Sequence, residues 1–304
     1  GLDFFWSEND VRTDARVEFD FYGLGAAPAS LTSMENKAAP MLRHAYMKLT
    51  KGHWSLLAGQ TSDIISPLVP KTANYTVLWD QGNIGYRRPQ VRVSAWESLS
   101  DHGKVSAAAG LFRTIGGDID RDGIDDGADS GLPSFQGRVA LGAKVRENGS
   151  MELGFSAHYG TEEYRTLAAT KSVESWSWNV DLRYTPCARW ELLGELFIGD
   201  NLGAYYGGVG QTVNPMQMEI GSRGGLAELS FRPVDKVSLN GGYGVDNPED
   251  DDFAISAIQY DPSRFIDKNS CIFGSVMYDL TGNVTAMFEL SKLSTTYEYR
   301  WMRG

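Results

Sequence analysis

The sequence predicts an all-β chain that crosses a membrane as an antiparallel up-and-down β-barrel, and three observations carry that reading. Short segments alternate apolar and polar residues with period two, best seen over residues 134–146, where Phe135, Val139, Leu141, Ala143 and Val145 alternate with Gln136, Arg138, Lys144 and Arg146. The connections between such segments alternate between tight turns and long polar loops, so that long loops fall on one rim. The polar face of nearly every segment carries charges of both signs, while the apolar face is rich in small residues such as Ala107, Ala109, Gly137, Ala143, Gly194, Gly241, Gly274 and Ala286. Charges are costly to bury in a sandwich but easily solvated in a wet lumen. A sandwich core also needs bulk to reach native packing density, whereas lipid fills around any profile.

Period-two alternation between turn signals places strands near 1–6, 11–23, 41–50, 53–61, 86–98, 103–114, 134–147, 150–160, 173–186, 188–199, 222–233, 235–246, 269–281 and 283–297, about fourteen in this chain. In 11–23, Ala15, Val17, Phe19 and Phe21 oppose Arg12, Asp14, Arg16, Glu18 and Asp20. In 86–98, Val91, Val93 and Ala95 oppose Arg88, Gln90, Arg92 and Ser94, and in 173–186 Trp176, Trp178, Val180 and Leu182 oppose Ser175, Ser177, Asn179, Asp181 and Arg183. Tight turns are read at Thr50-Lys51-Gly52, Leu99 to Gly103, Glu147-Asn148-Gly149, Pro186-Cys187-Ala188, Pro233-Val234-Asp235 and Thr281-Gly282-Asn283. Long loops are read near 24–40, 62–85, 115–133, 161–172, 200–221 and 247–268.

The composition bounds the alternatives. Of 304 residues, 42% are hydrophobic, with no apolar run approaching the roughly 18 that a spanning helix needs. No linker divides the chain, so residues 1–304 read as one barrel domain. The pattern is already under way at Gly1 and still running at Trp301, which reads as a domain truncated at both ends. A formal charge of -11 argues against a nucleic-acid partner. Much of that acid sits in the loops, at 118–129 and 249–252. Cys187 lies in a turn and Cys271 opens a strand after a long loop, so they fall on opposite rims and no disulfide is expected between them.

Three stretches, Leu42-Arg43-His44-Ala45-Tyr46, Leu56-Leu57-Ala58-Gly59-Gln60-Thr61 and Gly85-Tyr86-Arg87-Arg88-Pro89-Gln90-Val91-Arg92, resemble the trimeric DcaP-type porins and related Gram-negative outer-membrane porins. The similarity is densest over 11–98 and returns more loosely over 269–297, with the middle matched by pattern alone. The resemblance implies about sixteen strands in the full protein, a long loop folded into the lumen, a homotrimer and the bacterial cell outer membrane. On that template the chain lacks the first strand and the last, including the terminal aromatic residue.

A porin selects by a constriction, a charged ring narrowed by an inward loop. Loop 62–85 is the candidate: it is long, and Ile64, Ile65, Leu68, Val69, Val77 and Leu78 have little reason to face water. The other reading of this loop is packing against a neighbouring subunit. The wall candidates are Arg16, His44, Lys48, Arg88, Arg92, Arg138 and Lys144, with Asp14, Glu18 and Asp20 as an acidic counterpart that would set up a transverse field. Each could equally be a salt bridge that stiffens the barrel.

The sharpest local motif is 118–129, where Asp118, Asp120, Asp122, Ile124 (through its carbonyl), Asp126 and Asp129 match the oxygen spacing of a calcium loop, with Gly123 at the turn. Its alternative is an acidic solvated loop, and no cofactor beyond this Ca²⁺ is implied. His44, His53, His102 and His158 are scattered and no Ser or Cys sits in a nucleophile elbow, so no enzyme is expected. The function expected is passive diffusion of small hydrophilic, including anionic, solutes, with membrane lipid and lipopolysaccharide as partners. The alternative from another class is a soluble or surface-attached calcium-binding β-sandwich module.

Overall fold

A computed structural model describes residues 1–24, 38–117, 123–145, 148–165, 169–214, 216–253 and 265–297. Fourteen strands form one antiparallel sheet in sequence order: β1 (Leu2–Glu8), β2 (Val11–Leu24), β3 (Ala38–Lys51), β4 (Trp54–Ser62), β5 (Arg87–Ser98), β6 (Gly103–Phe112), β7 (Ser134–Val145), β8 (Gly149–Arg165), β9 (Thr170–Cys187), β10 (Trp190–Asp200), β11 (Gly221–Val234), β12 (Val237–Pro248), β13 (Ile266–Thr281) and β14 (Val284–Tyr297). Each strand pairs with its sequence neighbours, and β1 and β14 are the two edges. A single helical turn, α1 (Asp126–Asp129), lies in the β6–β7 connection.

The faces are inside out relative to a soluble protein. Val139 is 53% exposed and Leu196 66%, while Asp181 and Glu195 are 1% and 2%. Phe19, Val91, Leu141, Ile198, Ile272 and Phe288 continue the exposed apolar surface around the sheet. Such a surface suits lipid, and the buried charge suits an enclosed interior with its own partners. A sandwich would show the reverse, which disposes of the soluble-module fold.

The curl of the sheet is visible in one connection. Residues 63–86, between β4 and β5, hydrogen-bond in turn to β10, β11, β13 and β14, and then to β2. One segment can reach both ends of a fourteen-stranded sheet only if the sheet wraps around it. The wall is therefore a barrel and the connection lies in its lumen.

Turn chemistry follows rim. At the β1–β2 hairpin Asn9 and Asp10 take φ of 49° and 62°, the left-handed pair that a two-residue hairpin requires. The expected long loop 161–172 is a correction: β8 and β9 continue through it, with Thr161 to Arg165 in register with Glu174 to Thr170. Thr161-Glu162-Glu163 reads as loop because it is polar, yet Glu162 and Tyr164 still alternate inward. A hairpin end that needs no apolar outer face can stay paired with polar residues on both sides. Both cysteines are free, with Cys271 buried on the inner face.

Val139 lies near the middle of β7 and faces outward. Val139→Arg is expected to destabilise the barrel by about 2–4 kcal/mol in urea titrations of protein folded into lipid vesicles, as for a charge near the bilayer midplane. An unchanged midpoint would contradict the outward placement.

Candidate functional site

The lumen is built by connection 63–86 seated on one half of the inner wall. That half carries an apolar patch where alternation would put polar residues: Leu193 and Phe197 on β10, Leu226 on β11, and Cys271 and Phe273 on β13 all face inward and are buried. Leu68 and Leu78 of the connection join Leu193, Leu226, Cys271 and Phe273 in one cluster, and Ile65 and Ile84 join Phe197, Leu202 and Tyr205 in another. Each such side chain contributes about 1.5–3 kcal/mol when it leaves water. The packing bears on the subunit-contact reading of this loop, since Ile64, Ile65, Leu68 and Leu78 are buried within the chain itself, while Val69 stays exposed.

Wall carboxylates then take the connection's backbone donors. Leu68 N donates to Glu195 Oε1 (2.6 Å), Lys71 N to Glu228 Oε2 (2.5 Å) and Ala73 N to Glu289 Oε2 (2.7 Å). Lys71 Nζ also donates to Glu191 on β10, and Tyr75 Oη donates to Asp20 on β2 (2.9 Å). Charge-assisted bonds of this kind are about twice as strong as neutral ones. Close approach needs glycine on both sides. Gly82 has φ +116° and a Cβ there would lie 2.1 Å from the Gly225 carbonyl oxygen, while a Cβ on Gly244 would lie 2.1 Å from that of Gln81.

A second inward segment, residues 201–220, packs on the first and was not singled out in the sequence as a lumen element. Gly85 N donates to Tyr205 O (2.7 Å) and Asp80 N to Tyr206 O (2.8 Å). Trp79 stacks on Tyr206 at 4.7 Å, with Tyr86 edge-on to both. At the junction of the two segments lies Arg88. It was expected on the channel wall, but it is fully buried, 2.9 Å from Asp63 Oδ1, with its guanidinium 3.9 Å from the Tyr205 ring centre. Asp63 also accepts from Tyr86 N and Gln136 Nε2, both at 2.9 Å. Arg88 and Asp63 therefore tie the connection to β5 and β7.

The other expected wall residues divide into two groups. On β2 and β3, Arg16 pairs with Glu18, Lys48 lies 3.7 Å from Asp14, and Arg43 bridges Glu18 (3.0 Å) and Asp20 (2.8 Å). Asp14, Glu18 and Asp20 thus neutralise cations on their own wall and do not face a basic ladder across the lumen. Arg138 donates to Asp181 (2.5 Å) and Glu152 (2.9 Å), and His44 Nδ1 meets Thr61 Oγ1 at 2.9 Å. Lys144 is exposed near the short-turn rim. Arg43 was missed because strict alternation with Leu42 and His44 leaves it no inward place. The β2–β3 register shifts between Glu18 and Phe19, so Arg43 and His44 both face in.

On the open side of the connection is a cavity of about 620 Å³ whose lining includes Arg43, Arg87, Arg92, Lys104 and Arg138, with Asp63 the one carboxylate among the described residues that line it. Asp63 is itself held by Arg88. Arg87 lies under aromatic faces, 4.9 Å from Tyr86 and 5.6 Å from Trp79. Arg92 makes a long contact with Ser62 O (3.5 Å). His53 pairs with Glu97 at the rim, and His158 is buried, with Nδ1 2.6 Å from Ser177 Oγ, Nε2 3.0 Å from Ser175 Oγ and its ring stacked on Tyr205.

The calcium-loop candidates fall partly out of view. Asp118, Asp120 and Asp122 lie outside the described residues. Ile124 is exposed, Asp126 is buried and Asp129 closes α1. Among the described residues no three Asp, Glu, His or Cys side chains converge as a metal cluster.

No family model and no curated protein matches the chain. Among solved structures it is similar to the outer membrane channel DcaP of Acinetobacter baumannii, with a TM-score of 0.69 and 13% identity over 97% of this chain and 80% of that one. It is also similar to outer-membrane OmpT of Vibrio cholerae (TM-score 0.53, 12% identity, 97% and 78% covered) and to OprB of Pseudomonas putida (TM-score 0.50, 14% identity, 85% and 69% covered). The chain shares the β-barrel fold of these proteins.

Asp80 in the inward connection is half-buried, and its Oδ1 has no hydrogen-bond partner. Burial pushes its carboxyl up from the ordinary 3.8 to about 6, against a backbone hydrogen bond from Gly210 that lowers it. The folded value lies above the unfolded one, so its contribution to stability is full below about pH 4 and is lost as pH rises through about 6. Chemical denaturation of the detergent-solubilised protein is expected to show a fall in stability between about pH 4 and pH 7 that Asp80→Asn reduces. An identical pH profile in the variant would contradict the burial of this carboxyl.

Proposed function

We propose that the chain is a porin of the bacterial outer membrane, through which small hydrophilic solutes, anions among them, diffuse passively past a constriction made by residues 62–85. The observation that carries this reading is the cavity beside the connection, lined by Arg87, Arg92 and Lys104 together with Arg43 and Arg138, which are paired with wall carboxylates, and by Asp63, which is paired with Arg88. Such a surface raises the local concentration of anions and orients dipolar solutes. The net charge of the whole chain is -11 and does not decide the matter, because much of the acid lies in loops or is engaged by the connection.

The fold shared with the DcaP channel supports a transport role, and the exposed apolar band supports contact with lipid and, at the long-loop rim, with lipopolysaccharide. OmpT of Vibrio cholerae has been solved in a trimer form, and a homotrimer is the assembly we assign to this chain on the same architecture.

Planar-bilayer recordings under a salt gradient test the reading. The wild type is expected to give a reversal potential of the anion-selective sign, and Arg92→Glu with Lys104→Glu is expected to move it towards cation selectivity. A cation-selective wild type would overturn the anionic preference, and absence of conductance in folded protein would overturn the porin itself.

A further inference from the structure

Two carboxylates from different elements grip one turn of the second inward segment. Gly208, Val209 and Gly210 take φ of 64°, 52° and 69°, a left-handed run of the kind that gathers backbone N–H groups into a small anion-binding concavity. The N–H groups of Gly208 and Val209 go to the carboxylate of Asp246 on β12, at 3.4 Å for Val209. That of Gly210, which also meets Gly207 O at 3.3 Å, goes to Asp80 of the inward connection. Asp246 is fully buried and accepts from Ser222 Oγ at 2.6 Å. Asn269 stands directly across from Asp246 in the β12–β13 register, and its Nδ2 donates to the backbone O of Asp80 at 2.8 Å. The two acids are thus neighbours where wall, connection and second segment meet.

The turn is held against its own preference. Val209 is β-branched, and a left-handed φ on such a side chain costs about 1–3 kcal/mol and persists only where the surroundings impose it. Here they are the two carboxylates, the bond from Asp80 N to Tyr206 O at 2.8 Å and the stacking of Trp79 on Tyr206. Ionising both acids puts two like charges on one turn. The other titratable groups at this junction are the phenols of Tyr86 and Tyr206 and the guanidinium of Arg87, which lies against the rings of Tyr86 and Trp79. Phenols and guanidinium groups ordinarily titrate at about 10 or higher. Ser222 and Asn269, which flank Asp246 from β11 and β13, do not titrate.

We propose that Asp80 and Asp246 form a proton-dependent latch in the lumen: while one keeps its proton they clasp residues 206–210 onto the connection, and with both ionised the turn relaxes and frees Tyr206 from Trp79. Trp79 and Tyr86 line the open cavity, so release alters the path beside the constriction. That consequence rests on the channel reading, whereas the latch itself does not. The sign follows from Asp80, whose carboxyl is pushed by burial from 3.8 up to about 6 in the clasped state. Protonation therefore favours the clasp, which is tight in acid and loosens as pH rises through about 6. The factor by which the proton favours it is about tenfold at about pH 5 and close to one at about pH 8.

Hydrogen exchange of the amides of residues 206–210 in the full detergent-solubilised chain, corrected for the intrinsic effect of pH, tests the latch. Single-channel conductance in planar bilayers at the same pH values reads its consequence. Protection in the wild type is expected to fall about tenfold between about pH 5 and about pH 8, and conductance to change over the same range. Asp80→Asn is uncharged and tolerates a left-handed φ, so it should keep the acid-state protection at both pH values and remove the conductance change. Asp246→Asn should do the same, so the test survives if one variant fails to fold. Protection independent of pH in the wild type, or a pH response that a folded variant retains, would overturn the latch. A change in exchange with conductance indifferent to pH would overturn its effect on the path. A change in exchange in protein that never conducts would support the latch and overturn the channel reading.

Discussion

The seating of residues 63–86 on the apolar patch of β10, β11 and β13 is the contact on which the rest of the lumen depends. A barrel of this circumference with only polar residues inside would enclose a wide, symmetric water channel. Here Leu68 and Leu78 bury themselves against Leu193, Leu226 and Phe273 in the lumen itself, and Glu195, Glu228 and Glu289 take the backbone donors that a buried segment must satisfy. Neither contribution suffices alone. Apolar contact sets no register, and exposed carboxylate bonds would compete with water.

Once that half of the lumen is packed, the open path is displaced to the opposite wall and its electrostatics follow. The acids of β10, β11 and β14 are engaged by the connection, those of β2 by Arg16, Arg43 and Lys48, and Asp181 by Arg138. What remains beside the cavity is Arg87, Arg92 and Lys104 on an acidic protein. On the proposed function, the sign of the pore follows from where the loop sits. The buried pair of Arg88 and Asp63 shows the same logic: breaking such a pair typically costs 3–5 kcal/mol because it strands a charge, so it fixes the loop's entry firmly.

Strand number, order and facing were legible in the sequence because period-two alternation and turn residues are local signals, and Val139 out with Arg138 in follows from neighbours alone. Loop 62–85 was legible as an inward element from its misplaced apolar residues. Its seat was not, because Leu193, Phe197, Leu226 and Phe273 look like ordinary strand residues until the loop is placed on them. Arg43 was hidden by a bulge, which shifts parity without a sequence mark. Arg88 was placed on the right face and given the wrong surroundings, since alternation tells direction and says nothing of what covers a side chain. Segment 201–220 was polar and glycine-rich enough to read as an exterior loop, although Leu202 and Tyr205 were the clue.

The seating of the connection across the lumen is best tested by cross-linking. Ala73 N lies 2.7 Å from Glu289 Oε2 on β14, although the connection leaves the wall at β4 and returns at β5. With both native cysteines replaced by alanine, Ala73→Cys and Glu289→Cys should be joined by a short bifunctional thiol reagent within one folded chain, in lipid vesicles, with conductance retained. Failure of these two positions to cross-link in folded, conducting protein would place the connection outside the lumen and contradict the account.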